Sequence, residues 1–174
     1  SGLLADKRYQ NFVGQVQGYA GLPDEHFDGF YLSFIKRYAE FVQHLPDERN
    51  AFLGTMLANG CLRGLNTLHI FVSEYNDPTP LERFALFTAA VLQDISKVMT
   101  QQRVLVTNSD GATLEIWQPF CGAMTENREG NSYKLLPLAP HYQRINKSIK
   151  MALARQVIGE HGFLWIASDF RLLA

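Results

Sequence analysis

Apolar side chains recur at three- and four-residue steps between residues 24 and 44. Phe27, Phe30, Tyr31, Phe34, Ile35, Tyr38, Ala39 and Val42 draw one wide face along a helix. Pro23 and Asp24 open it. Leu45-Pro46 closes it, because the residue before a proline is pushed out of the helical region. A weaker helix precedes it, with Phe12, Val13, Val16 and Tyr19 as its inward stripe. Residues 48–75 read as a further helix or a broken pair. Phe52, Leu53, Met56, Leu57, Leu62, Leu65, Leu68 and Phe71 supply the apolar positions there, and Gly54, Gly60 and Gly64 weaken the helix by about 1 kcal/mol each. Such glycines either kink a helix or admit a close neighbour.

Asp77-Pro78-Thr79-Pro80 is a break. Residues 81–100 then form a helix so apolar in its middle (Phe84, Phe87, Ala90, Val91, Ile95) that it is expected to run through the core. The period changes at residue 102. Gln102 to Asn108 alternates around Val104 and Val106, Asn108-Ser109-Asp110-Gly111 signals a turn, and Leu114 and Ile116 alternate on the return, which predicts a β-hairpin over about 102–118. A polar loop from about Thr125 to Ser132 follows. Two helices near 141–158 and 162–173, parted by Gly159 and Gly162, close the chain. The whole is an all-α domain, 1–174, with a small β-hairpin insertion: helices over about 3–100, the hairpin, then helices over about 141–173.

Composition changes this picture little. Of 174 residues, 47% are hydrophobic and 19% charged, an ordinary globular balance that excludes a disordered or fibrous chain. The net charge of −1 speaks against a dedicated nucleic-acid binder, which would carry a basic excess. Cys61 and Cys121 have no metal-binding spacing and read as buried thiols of a reducing compartment, with a single disulfide as the alternative. Neither a signal peptide nor an apolar run of membrane-spanning length is present, so the cytoplasm is the expected compartment, without direct membrane insertion. Ser1-Gly2 is compatible with a cloning remnant, which would make the chain a piece of a longer protein.

General catalytic motifs are missing: no Walker loop, GxGxxG, GxSxG or HExxH. His26, His44, His69, His141 and His161 include no pair at i,i+3 or i,i+4, so no local metal clamp is visible. On the penultimate helix, Arg144, Lys147, Lys150 and Arg155 place cations along one side. They read either as a solvated face or as a contact face for an acidic protein surface or phosphates.

One segment carries more. Phe87-Thr88-Ala89-Ala90-Val91-Leu92-Gln93-Asp94-Ile95-Ser96-Lys97 resembles the core helix of the HD superfamily, where an apolar run leads into His-Asp-Ile-Gly-Lys and the adjacent histidine and aspartate both reach a divalent metal. Asp94, Ile95 and Lys97 match that pattern, while Gln93 replaces the histidine and Ser96 the glycine. Gln-Asp after an apolar run also fits the polar edge of an amphipathic helix. The order of motifs extends the resemblance: Leu45-Pro46, Asn59-Gly60-Cys61-Leu62-Arg63-Gly64, the Gln93-Asp94 helix, the hairpin, Trp117-Gln118-Pro119, and Phe163-Leu164-Trp165-Ile166. Together these are similar to the relaxase/helicase domain at the N-terminus of TraI/MobH-type conjugation proteins.

That resemblance implies an HD-domain-like helical core whose metal site has degenerated. The first ligand histidine falls at Gly64 and the second at Gln93, whose neutral amide is a poor ligand for a catalytic divalent ion; only Asp94 survives. A lone carboxylate cannot fix an open-coordinate ion that generates hydroxide, so Asp94 is expected to accept a hydrogen bond from Lys97 or a backbone N–H instead. The expected function is a non-catalytic adaptor or structural subunit without cofactor or metal. It would join other protein subunits of a conjugation or type IV secretion complex, such as a type IVB coupling complex, or a second copy of itself. Its interface would be an exposed apolar patch drawn from aromatic residues such as Tyr9, Phe12, Tyr31 and Phe170. Two rival expectations stand beside it: a metal-dependent phosphohydrolase with a site rebuilt from His69, His141 or Asp110, and a nucleic-acid-binding module using the basic helix.

Overall fold

The structure, a computed structural model, describes residues 6–46, 54–123, 132–139 and 146–173. The chain is mostly helical, with one small antiparallel sheet, and divides into two compact units. The first gathers Ser1–Lys36, Ala58–Gln93 and Ile158–Ala174; the second gathers Arg37–Leu57 and Asp94–Val157. No helix among the described residues is long and apolar enough to cross a membrane.

The first unit is an aromatic-cored helical cluster. Helix α1 (Lys7–Ala20) is capped by Asp6, whose carboxylate accepts from the Arg8 N–H at 2.9 Å, and ends in left-handed Gly21. The predicted helix over 24–44 forms as α2 (Asp24–Phe27), a π-turn (Asp28–Leu32) and α3 (Ser33–Val42) in succession. Helix α4 (Thr55–Glu74) carries Gly60 and Gly64 inside it; the beginning of the predicted 48–75 span lies outside the described residues.

Helix α5 (Pro80–Val91) opens with a capping box: the Thr79 hydroxyl accepts from the Glu82 N–H at 3.2 Å, while the Glu82 carboxylate accepts from the Thr79 N–H at 2.8 Å. Its inward face supplies Phe84, Phe87 and Val91, all buried as the apolar pattern predicts. Tyr31 lies 5.0 Å from Phe84 and 5.3 Å from Phe87, ring centre to ring centre. Trp165, on α8 (Glu160–Ala167), adds contacts to Phe30 and Phe84 at 4.3 and 5.2 Å. These offset and edge-on contacts suit aromatic quadrupoles and fill the centre of the unit.

The predicted 81–100 helix does not run unbroken. It ends at Val91, passes through a 3-10 turn (Leu92–Asp94), and resumes as the short α6 (Lys97–Thr100). Apolar periodicity continues across the break because Ile95 and Val98 are buried too, so the pattern conceals the change of direction.

In the second unit α6 leads into β1 (Gln102–Thr107), which pairs with β2 (Thr113–Ile116) as the predicted hairpin. A third strand, β3 (Ser132–Pro137), pairs antiparallel with the other edge of β1 and gives the order β2-β1-β3. This strand is not among the predicted elements: Ser132, expected at the end of a loop, opens it. The rest of that loop lies outside the described residues.

Trp117 is buried against Phe41, with ring centres 6.0 Å apart, and its indole N–H donates to the Gly122 carbonyl at 3.0 Å. The Tyr38 hydroxyl donates to the Met56 carbonyl at 3.1 Å, and that of Tyr133 to the His44 carbonyl at 2.7 Å. Helix α7 (Asn146–Ile158) ends at Gly159, whose φ of 78° favours glycine. The predicted start near 141 lies outside the described residues. Gly162 does not separate helices: it sits inside α8, where a Cβ would lie 2.9 Å from Ile158 Cγ2 and 3.2 Å from Phe84 Cζ. The predicted 162–173 helix stops at Ala167 and is followed by a 3-10 turn (Phe170–Leu173).

Candidate functional site

The resemblance aligns Gly64, Gln93 and Asp94 with metal ligands. Gly64 is buried in the middle of α4, where α5 crosses close by: a Cβ built on it would lie 2.4 Å from Val91 Cγ2 and 2.9 Å from Phe87 Cε2. Both distances are far inside ordinary contact, so the position has neither a ligand nor room for one. Gln93 lies in the 3-10 turn and is exposed. Asp94 follows it, with its carboxylate 3.4 Å from Lys97 Nζ; the two side chains are 28% and 20% exposed. That i,i+3 pair matches the expected role of Asp94 as a partner of Lys97.

A catalytic divalent ion does not fit this residue set. One position lacks a side chain, one offers a neutral amide, and the carboxylate is partnered by an ammonium. Among the described residues no group of three or more His, Cys, Asp or Glu side chains comes together. For the rebuilt-site alternative, His69 is exposed with its ring 5.2 Å from that of Tyr19, and exposed Asp110 sits in the hairpin turn, its N–H donating to Asn108 Oδ1. His141 lies outside the described residues.

The basic face is only partly described. Arg144 lies outside the described residues, as does the side chain of Lys147. Lys150 is half-buried and Arg155 exposed on α7. Five residues apart, these two project about 140° apart around the helix rather than along one side.

Apolar surface is more developed. Tyr31, an expected patch residue, is instead fully buried in the aromatic core, and its hydroxyl finds no hydrogen-bond partner. Burial holds that phenol well above its ordinary pKa. Phe170 is strongly exposed, as expected. Tyr9 and Phe12 line a cleft of about 390 Å³ in the first unit with Ala58, Cys61, Leu62 and Leu65 of α4. Burial pushes the Cys61 thiol up to about 12, so this cysteine is an inert wall residue, whereas Cys121 is exposed rather than the expected buried thiol. Both cysteines are free.

A second cleft, of about 470 Å³, belongs to the second unit. It is walled by Val98 and Met99, by Arg103 and Ile116 of the sheet, by Trp117 and by Leu138. Alternation along the hairpin predicted two faces without saying which would stay open.

No protein-family model matches the chain, and no curated protein is significantly similar to it.

Proposed function

We propose that this chain is a non-catalytic adaptor or structural subunit built on a degenerate HD-like helical core, working in the cytoplasm within a conjugation or type IV secretion assembly. The setting rests on the ordered resemblance of motifs. The loss of chemistry rests on position 64, where Val91 and Phe87 occupy the space that a ligand side chain would need. A histidine there would have to displace α5, so the position serves helix packing and not coordination. The Asp94–Lys97 pair supports the same reading, since it gives the remaining carboxylate a structural partner. What such a protein offers an assembly is surface, and both units carry apolar clefts.

Elemental analysis of the full chain purified without chelator tests this, beside thermal melts with and without added Mn²⁺. The expected result is substoichiometric metal and an unmoved melting temperature. Near-stoichiometric metal that raises the melting temperature and disappears in Asp94→Ala overturns the reading and points to a phosphohydrolase with a rebuilt site.

A further inference from the structure

The sheet of the second unit has two faces of different character. Cross-strand partners point the same way, so the pairs Val104↔Leu135 and Val106↔Tyr133 share one face. That face is turned inward: Val104 and Val106 are buried and Tyr133 bonds to the His44 carbonyl. The opposite face holds Arg103, Leu105 and Thr107 of β1, Ile116 and Thr113 of β2, and Ser132, Lys134 and Leu136 of β3. Ile116 and Leu136 are 44% and 47% exposed, whereas Thr107 is buried. The solvated face of an antiparallel sheet is ordinarily polar, and the part of this one around Leu105 is aliphatic with two cations. At its end Arg103 and Ile116 continue into the 470 Å³ cleft.

We propose that this face and cleft dock an acidic, amphipathic segment of a partner protein. One apolar side chain enters the cleft, further apolar residues cover Leu105 and Leu136, and carboxylates meet Arg103 and Lys134. The proposal rests on the adaptor reading and gives it a surface.

Charge selects the occupant. Among the described residues no carboxylate stands within ion-pair distance of Arg103 or Lys134; the Lys134 ammonium donates only to the Gly111 carbonyl, at 2.9 Å. Glu115, opposite Val106, belongs to the other face, and Asp110 sits in the hairpin turn. A second copy docked face to face about a two-fold axis would set these cations against their own copies. An anionic membrane calls for clusters of roughly four to eight basic residues, against two here on a chain of net charge −1. A ligand small enough for the cleft would leave Leu105 and Leu136 uncovered. A polypeptide reaches both, with a central anchor and charged flanks as protein interfaces are built.

The test is selection of a random displayed 16-residue peptide library on the full chain, followed by binding measurements on the enriched peptides. Enriched sequences should combine Asp or Glu with Leu, Ile, Phe or Met. Arg103→Glu should weaken them at least tenfold, as should Leu136→Gln, an exposed change that folding tolerates. Leu62→Asn, on the other cleft, should leave binding within twofold. Selection on Arg103→Glu/Lys134→Glu should enrich basic peptides instead. No enrichment, enrichment without acidic bias, or indifference to Arg103→Glu overturns the proposal. So does a dimer that Leu136→Gln dissociates, or sedimentation with phosphatidylglycerol vesicles that Arg103→Glu abolishes. The metal measurement separates the two claims: a metal-free chain with no peptide preference loses this surface but stays a non-catalytic subunit, whereas stoichiometric metal removes the adaptor reading whatever the peptides do.

Discussion

The packing at Gly64 makes one substitution change sign with position. Glycine to alanine in an exposed helix interior stabilises by about 1 kcal/mol, because alanine has less backbone entropy to lose. Gly14, on α1, meets nothing within 4 Å of its added Cβ, so Gly14→Ala should show that gain in full. Gly64→Ala carries the same propensity gain but sets its methyl 2.4 Å from Val91 Cγ2, where ordinary contact begins at 3.4 Å. The shortfall is about 1 Å, taken from two well-packed helices, and overpacking of this kind costs roughly 1–3 kcal/mol. The net expectation is a loss of up to about 2 kcal/mol. Val91→Ala removes the offending methyl and by itself costs roughly 2 kcal/mol of core packing. The double variant should then be more stable than the sum of the singles by at least about 1 kcal/mol, with Phe87 Cε2 at 2.9 Å limiting the recovery. Urea unfolding of the four proteins, followed by circular dichroism, reads these differences. If Gly64→Ala stabilises as Gly14→Ala does, α4 does not pack on α5 as described and position 64 has room for a side chain. By the same geometry, Gly64→His/Gln93→His should not acquire stoichiometric Mn²⁺.

Four further outcomes follow from particular residues. Tyr31→Phe should raise stability by about 1 kcal/mol in urea unfolding, because it removes a buried hydroxyl that has no partner and leaves the ring packing intact; a loss of stability would mean that the hydroxyl is bonded. Thr79→Ala should cost about 1 kcal/mol through the lost cap. The Glu82 carboxyl is held below its ordinary value chiefly by the Thr79 backbone N–H, so its contribution is present above the ordinary glutamate range and fades as pH falls through the lowered value. Melts from pH 6 down to pH 3 should therefore show a shallower acid limb in Glu82→Gln; an unchanged limb refutes the linkage. A thiol reagent should titrate one fast group in the native chain, Cys121, and Cys61 only after unfolding; two fast groups would contradict the burial of Cys61.

Much of the helical architecture was legible in the sequence because burial enforces period. The 24–44 face, the apolar middle of α5 and the Val104/Val106 alternation all mark side chains that are buried where the pattern places them. The pattern misled where burial persists through a change of backbone. Ile95 and Val98 prolong the apolar period past Val91 although the chain turns through Leu92–Asp94, and hydrophobicity carries no mark of that turn. Strand β3 was missed for the complementary reason. Tyr133-Lys134-Leu135-Leu136 alternates weakly because Leu136 faces outward, so the segment lacks the apolar/polar contrast by which a half-buried strand is read.

The candidate site divides along the same line. The Asp94–Lys97 pair could be read from spacing alone, since i,i+3 residues meet on any helical turn. Gly64 could not. A glycine where a motif has histidine looks like a ligand deleted, whereas the contact with Val91 and Phe87 makes it a residue required for two helices to touch. Those neighbours stand more than twenty positions away, and only the fold brings them together. The sheet face was hidden by a symmetry of composition: both sides of the hairpin carry aliphatic residues, and alternation cannot say which side the rest of the chain will cover. Part of the face, Leu136 and Lys134, comes from β3, which the hairpin alone does not contain. A docking face of the kind proposed has no local motif, so periodicity alone does not locate it.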